Sequence, residues 1–233
     1  MQASLRFSSW QIRFNLADGG PPPMEDAVLE SLDQGRAAQG VRLGLVAGGV
    51  ISSYRASLVE RDLWEHVCAL FESRGPYAAA LLERVTARDW VELEAFVVLL
   101  DVIGETMGLD ELRTLVRKRI VDPAGSNFYA PIVRSWARSF STPEHMLHGI
   151  VHVWRAALRN AGRVRHLPVR TGEVHLIIEG PLEAAYRGSP ALATELEGLA
   201  FSLLDSAQPR PVFVEVELRS KQATVALVCS FRN

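Results

Sequence analysis

The sequence is poor in cysteine, with only Cys68 and Cys229 among 233 residues. No cysteine pair has the spacing of metal ligands or of a redox couple. Both are read as buried free thiols in a reducing cytoplasm. An excess of one charge is also missing: Lys plus Arg number 25, Asp plus Glu 27, and the net charge is −2. That balance argues against a nucleic-acid partner held by bulk phosphate attraction. Long apolar runs are missing too. The longest, 77–82 and 95–100, fall far short of the roughly 20 residues of a membrane span. The first 14 residues hold no continuous apolar segment, so no signal peptide is read and a soluble, cytoplasmic protein is expected.

Catalytic motifs are equally scarce. There is no G-x-S-x-G, and Ser189 sits in RGSPA, without the elbow pattern. Gly44, Gly48 and Gly49 do not form a phosphate loop. Glu92 and Glu94 are read as lying on different faces of one helix, so they make no acid/base pair. A non-enzymatic role is expected.

What is present is an ordinary globular composition, 48% hydrophobic and 22% charged. A chain of this length buries roughly 70% of its unfolded surface and needs no metal or disulfide to fold. Residues 3–14 alternate weakly, and Pro21, Pro22 and Pro23 make a stiff linker. Residues 24–32 form a short helix candidate. Residues 41–52 are rich in β-branched and aliphatic side chains and are read as a strand, with Gly48-Gly49 as a bulge or turn. Helical spacing then predicts helices over 56–73, 77–85, 86–107, 111–120 and 128–140. Thr86 is read as the N-cap of the central one, with Asp89 completing a variant capping box. The basic residues Arg113, Arg117, Lys118 and Arg119 are read as a solvated face.

Downstream the period changes to two. Strands are predicted over 163–168 and 173–179, a helix over 190–206, and strands over 212–218 and 223–231. The expected fold class is α+β: a helical N-terminal half packed on a C-terminal antiparallel sheet with one or two covering helices. Three parts are expected: an arm and linker at 1–40, a mainly helical part at 41–140, and an α+β part at 141–233, the last two packed as one unit.

Between the halves lies a predicted helix over 142–161. Thr142 suits its N-cap, Pro143 its first position and Gly162 its left-handed stop. His145, His148 and His152 fall within about 60° of one another on this helix. They are the weak metal candidates, but they share their side with Arg155 and Arg159. Met146, Ile150, Trp154 and Ala157 form the opposite, apolar face. The histidines are therefore read as a polar outer face, and no cofactor is assigned. Trp136, Phe140, Trp154 and Tyr186 cluster in sequence around this helix. They are the candidate lining of a small-ligand cavity between helix and sheet, or else simple core.

The segments 49–62, 81–109 and 143–163, with the closing helix and two strands, resemble the myxobacterial paralogous family of uncharacterised proteins. The C-terminal half is similar to the 4-vinyl-reductase-type domain and to the haem-NO-binding-like fold. Trp90, Trp154, Gly162 and Gly198 carry the resemblance. It implies a sensing or regulatory signalling module, or an interaction module derived from one, and it implies no catalytic residue. Related domains often carry cysteines near the last hairpin, where this chain reads Arg219-Ser220-Lys221-Gln222. Three readings follow: a sensor that binds a small, mostly apolar ligand; a protein–protein adaptor, as a homodimer or with another partner; and a metal or haem protein using the three histidines.

Overall fold

The apolar run around Gly48 suits strand and helix equally by composition. The computed structural model, which describes residues 44–74, 77–121, 154–170, 173–179, 189–205, 212–219 and 224–231, divides it between the two. Strand β1 (Leu45–Ala47) runs straight into helix α1 (Gly48–Val59). The strand expected over 41–52 therefore ends at Ala47. The Gly48 N–H donates to the Asp89 carbonyl at 2.8 Å. A Cβ at Gly48 would stand 2.1 Å from the Thr86 carbonyl oxygen, so only glycine lets the chain turn here.

The single helix expected over 56–73 is two. Helix α1 stops at Val59, Asp62 takes a positive φ of 57°, and helix α2 (Trp64–Ser73) begins anew. A short helix α3 (Ala79–Arg84) follows. Thr86 and Asp89 are then paired as expected: the Asp89 carboxylate accepts from the Thr86 N–H at 2.7 Å and its hydroxyl at 2.8 Å. They close a turn, however, and not a helix cap. Strand β2 (Trp90–Glu92) comes next, and helix α4 starts only at Leu93, running to Met107. Glu92 is consequently a buried strand residue, not a neighbour of Glu94 on one helix. Gly108, at φ 86°, ends α4, and helix α5 (Leu109–Val121) follows at once.

Residues 154–157 are helical, and strand β3 (Leu158–Arg159) follows directly. The helix expected over 142–161 thus ends at Ala157, and its residues 142–153 lie outside the described residues, as does the helix expected over 128–140. Gly162 does take a positive φ, 102°, but after a strand. Strands β1, β2 and β3 form an antiparallel sheet in the order β2-β1-β3.

The C-terminal elements match the predicted order. Strands β4 (Arg163–Arg170) and β5 (Glu173–Glu179), helix α6 (Pro190–Asp205) and strands β6 (Val212–Arg219) and β7 (Thr224–Phe231) succeed one another. The four strands form an antiparallel sheet, ordered β4-β5-β7-β6. Val174, Leu176 and Ile178 alternate into the core, as the period of two requires. Pro168 sits on edge strand β4, where the ladder register shifts before Arg170. A proline on an edge blunts further strand pairing.

Helix α6 packs on α5 and α4, and also on β6 and β7. Gly198 sets its approach to α5: a Cβ there would stand 2.7 Å from Val116 Cγ1. Ser189 caps the helix, accepting from the Leu192 N–H at 2.9 Å. Its hydroxyl donates to Asp101 of α4 at 2.7 Å, tying the start of α6 to α4. One hydrophobic cluster runs from β1 and α1 through α4 and α6 to Trp154, Ala157 and β5. The fold is α+β, with helices and, among the described residues, two antiparallel sheets.

Candidate functional site

Leucines at 192, 196 and 199 put one face of α6 against the helices and the residues around Trp154. Glu195 falls on that same face by helical spacing, and it is 4% exposed. A carboxylate there costs several kcal/mol in lost hydration unless it is paired. Arg119 of α5 supplies the pair: its Nη2 donates to Glu195 Oε1 at 2.8 Å. Tyr54 of α1 donates its hydroxyl to Glu195 Oε2. The Arg119 guanidinium also donates to Ser53 Oγ at 2.8 Å and to the Val50 carbonyl at 3.2 Å. Its Cζ lies 3.7 Å from the Tyr54 ring centroid, a cation–π stack. Three helices thus meet in one buried polar knot.

The basic face of α5 is therefore not a solvated face. Arg119 is buried, and Arg113 and Arg117 each donate to Glu197 of α6 at 3.1 Å. Arg117 stacks over the Phe201 ring, its Cζ at 3.7 Å from the centroid. Of the four residues only Lys118 is exposed. The sequence held a signal for this: Glu195 occupies a leucine position, and a carboxylate on an apolar stripe calls for a buried cation.

Beside the knot lies a cavity of about 30 Å³. Val46, Val50, Leu93, Phe96, Ala157, Leu158, Leu192, Leu196 and Leu199 give it apolar walls, and Trp154 and Glu195 complete it. Trp154 is 6% exposed, and its indole nitrogen is buried with no hydrogen-bond partner among the described residues. Such donors are rare in folded proteins, because leaving one unpaired costs about 1–3 kcal/mol. Trp154 is thus the one predicted lining residue that can be located; Trp136, Phe140 and Tyr186 lie outside the described residues. Among the described residues, the cavity lining includes α6 and no residue of the four-stranded sheet.

On the opposite face of the three-stranded sheet, Trp90 carries the Arg159 guanidinium at 4.0 Å from its ring centroid. Arg159, expected on the polar face of a helix, is thus a strand residue stacked on a tryptophan.

His145, His148 and His152 lie outside the described residues. Of the other histidines, His66 is exposed, and His175 pairs with Glu173 at 2.9 Å. No group of three metal-binding side chains occurs among the described residues. Both thiols are disfavoured as nucleophiles. Burial, helped by the Glu83 charge, pushes Cys68 up to about 11, and burial pushes Cys229 up to about 12. Asp101 is raised by burial, against the Ser189 hydrogen bond that lowers it.

Haem, which the haem-NO-binding-like resemblance implies, does not fit the described residues. Pockets for bound molecules of drug size run roughly 300–1,000 Å³, and this cavity is about 30 Å³. Among the described residues its walls include no histidine, cysteine, methionine or tyrosine to bind an iron.

The sequence matches no family model and no curated protein. Among solved structures, the chain is similar to an H-NOX protein from S. oneidensis in the Fe(II) ligation state. The TM-score is 0.55 at 11% identity, over 80% of this chain and 96% of that one. It is similar to the Fe(II) unliganded H-NOX protein from K. algicida, with a TM-score of 0.52 at 11% identity, over 80% and 97% of the two chains. It is also similar to an oxygen-binding H-NOX domain related to soluble guanylate cyclases, with a TM-score of 0.51 at 14% identity, over 80% and 95%. The haem-NO-binding-like fold, expected for the C-terminal half alone, is thus supported over 80% of the chain.

Proposed function

We propose that the chain is a non-enzymatic sensor or regulatory domain that reads a small, mostly apolar ligand in the cavity beside Trp154. The observation that carries this is the apolar cavity lined by Trp154 and by residues of β1, α1, α4 and α6. The indole nitrogen of Trp154, buried without a partner among the described residues, is a group that calls for an explanation. Support also comes from the fold. The solved H-NOX proteins include an oxygen complex and an Fe(II)NO state. We carry over from them sensing of a small ligand, and not the haem, because the cavity that the described residues line is too small for one. The knot of Tyr54, Arg119 and Glu195 then links the cavity wall to α1 and α5. Ligand occupancy read at Glu195 reaches α1, which also borders the cavity through Val50, and α5. We place the protein in the cytoplasm; among the described residues no helix is long and apolar enough to cross a membrane. The myxobacterial family resemblance, resting on Trp90, Trp154, Gly162 and Gly198, belongs to the same proposal.

The test is xenon titration followed by protein NMR, with haemin addition followed by absorbance. We expect saturable shifts confined to the cavity-lining methyl groups and the Trp154 indole, and no stoichiometric Soret band. No saturable shift, or a Soret band at one haem per chain, sinks the proposal.

A second reading, a protein–protein adaptor, is favoured by one observation. Leu167 and Val169 on β4 are 50% and 48% exposed. They lie in line with exposed Arg163 and Arg165. Substituting both by threonine would leave folding intact and would abolish any self-association seen by sedimentation.

A further inference from the structure

We propose that residues 24–33 of this chain dock, as an acidic amphipathic helix, on the outward stripe of β4 formed by Arg163, Arg165, Leu167 and Val169. This deepens the adaptor reading, on which its regulatory meaning rests: the segment masks the surface that a partner would use.

The stripe follows from the pleat. Val164 packs against the core, while Arg163, Arg165, Leu167 and Val169 are all exposed. Two arginines lie at one end and two apolar side chains at the other. Arg165 also donates to Glu179 of β5, and its side chain stays 66% exposed. Beside the stripe the face is closed. Ile177, paired with Arg165, is buried, and His175, paired with Leu167, is half-buried. The open part is one strand wide, which suits one short helix. A further strand is a poor occupant of this edge, because Pro168 and the register shift before Arg170 interrupt it.

The sequence supplies an occupant. Residues 24–33 read MEDAVLESLD, with acids at 25, 26, 30 and 33 and no base. At helical spacing Met24, Val28 and Leu32 share one side, and the acids lie off it. With Glu25 and Asp26 toward Arg163 and Arg165, Val28 and Leu32 come to Leu167 and Val169. The lengths agree. Seven helical residues from 25 to 32 rise about 11 Å, and four strand residues from 164 to 168 rise about 14 Å.

The tether is in the right place. The segment joins the described residues at Gly44, where a Cβ would stand 3.6 Å from the Ala161 Cα. Ala161 lies two residues before Arg163, the first residue of β4. The ten residues 34–43 separate the segment from Gly44. They span up to roughly 35 Å, against roughly 27 Å for the whole of β4. Such a tether holds the segment at roughly millimolar effective concentration, so a weak contact suffices. A second copy docked through the same stripe brings arginines to arginines, and is the poorer fit.

The test is paramagnetic relaxation in the full chain, with a nitroxide on Gln34→Cys. Cys68 and Cys229 are buried and stay unlabelled. We expect the amide signals of Leu167 and Val169 to broaden, and to stay broadened after dilution into unlabelled chain. Arg163→Glu with Arg165→Glu should cut the broadening at least about threefold. Adding Glu25→Arg and Asp26→Arg to that variant should restore it. Salt at about 1 M, where the screening length is about 3 Å, should weaken it.

No broadening on β4 overturns the inference and leaves the adaptor reading to the sedimentation test of Leu167 and Val169. Broadening that unlabelled chain dilutes away shows a segment shared between copies, and overturns the inference too. So does broadening that survives the charge reversal, or that the swap fails to restore. If the β4 double variant fails to fold, Glu25→Lys with Asp26→Lys in the segment decides: unchanged broadening overturns the inference.

Discussion

Arg119 and Glu195 meet at 2.8 Å with their side chains 1% and 5% exposed, from two helices 76 residues apart in sequence. Neither charge has water to fall back on. Removing one partner strands the other, which costs about 3–5 kcal/mol in a buried pair. We expect Arg119→Met and Glu195→Leu each to lose about that much in urea denaturation. The double variant should lose much less than the sum, because no charge is left behind. Additive losses would show that the two side chains act separately.

Glycines at two contacts allow a steric prediction. A Cβ at Gly48 meets the Thr86 carbonyl at 2.1 Å, and one at Gly198 meets Val116 Cγ1 at 2.7 Å. Backbone and a branched, buried side chain have nowhere to go. Alanine at either site should cost about 1–3 kcal/mol, despite the gain in helix propensity of about 1 kcal/mol. Thermal unfolding checks this, and an unchanged or raised Tm refutes the close approach.

Asp101 yields a prediction in pH. Burial raises its carboxyl above the ordinary value of 3.8. The folded chain thus binds this proton more tightly than the unfolded chain. Its contribution to stability is fully present below 3.8 and is lost as pH rises through the raised folded value. Asp101→Asn keeps an acceptor for the Ser189 hydroxyl and removes the titration. We expect the variant to be at least as stable at neutral pH. The difference in stability between the two proteins should shrink as pH falls toward 3.8. A variant less stable at neutral pH, with no pH trend in the difference, would show that the charge is favourable.

The thiols yield a chemical one. With Cys68 near 11 and Cys229 near 12, little thiolate exists at pH 8. A disulfide reagent should label neither in the native protein within minutes, and both in denaturant. Rapid native labelling of Cys229 would show that the strand carrying it opens readily.

Much of the C-terminal architecture was legible because a sheet with one buried face writes a period of two, as Val174, Leu176 and Ile178 do. The end of α4 at Met107 was legible, because the next residue is Gly108, whose φ of 86° favours glycine. The misreadings have physical causes. The run through Gly48 is apolar on every side, and only the contact with Thr86 and Asp89, some forty residues away, tips it into a helix. Thr86 and Asp89 make the same hydrogen bonds in a turn as at a cap, so the local signal did not distinguish them. Glu195 on its leucine stripe signals a buried cation, but which one, 76 residues away, leaves no periodic trace. Of the predicted lining residues only Trp154 falls within the described residues. Its neighbours at the cavity, Val50 and Leu192 among them, come from other elements that only folding assembles.

Strand β1 has a further consequence. Its residue Val46 pairs with Leu158, and both face the cavity, while Leu45 pairs with Arg159, which reaches over Trp90 on the other face. Alternation makes these two faces one reading frame. Inserting a single residue between Gly44 and Leu45 would turn Val46 out of the cavity wall and put its neighbour in. The same slip would move the partner of Arg159 and unseat the stack on Trp90. An apolar chamber and a cation resting on an indole, on opposite sides of a three-residue strand, are therefore inherited together: neither can drift in evolution without disturbing the other.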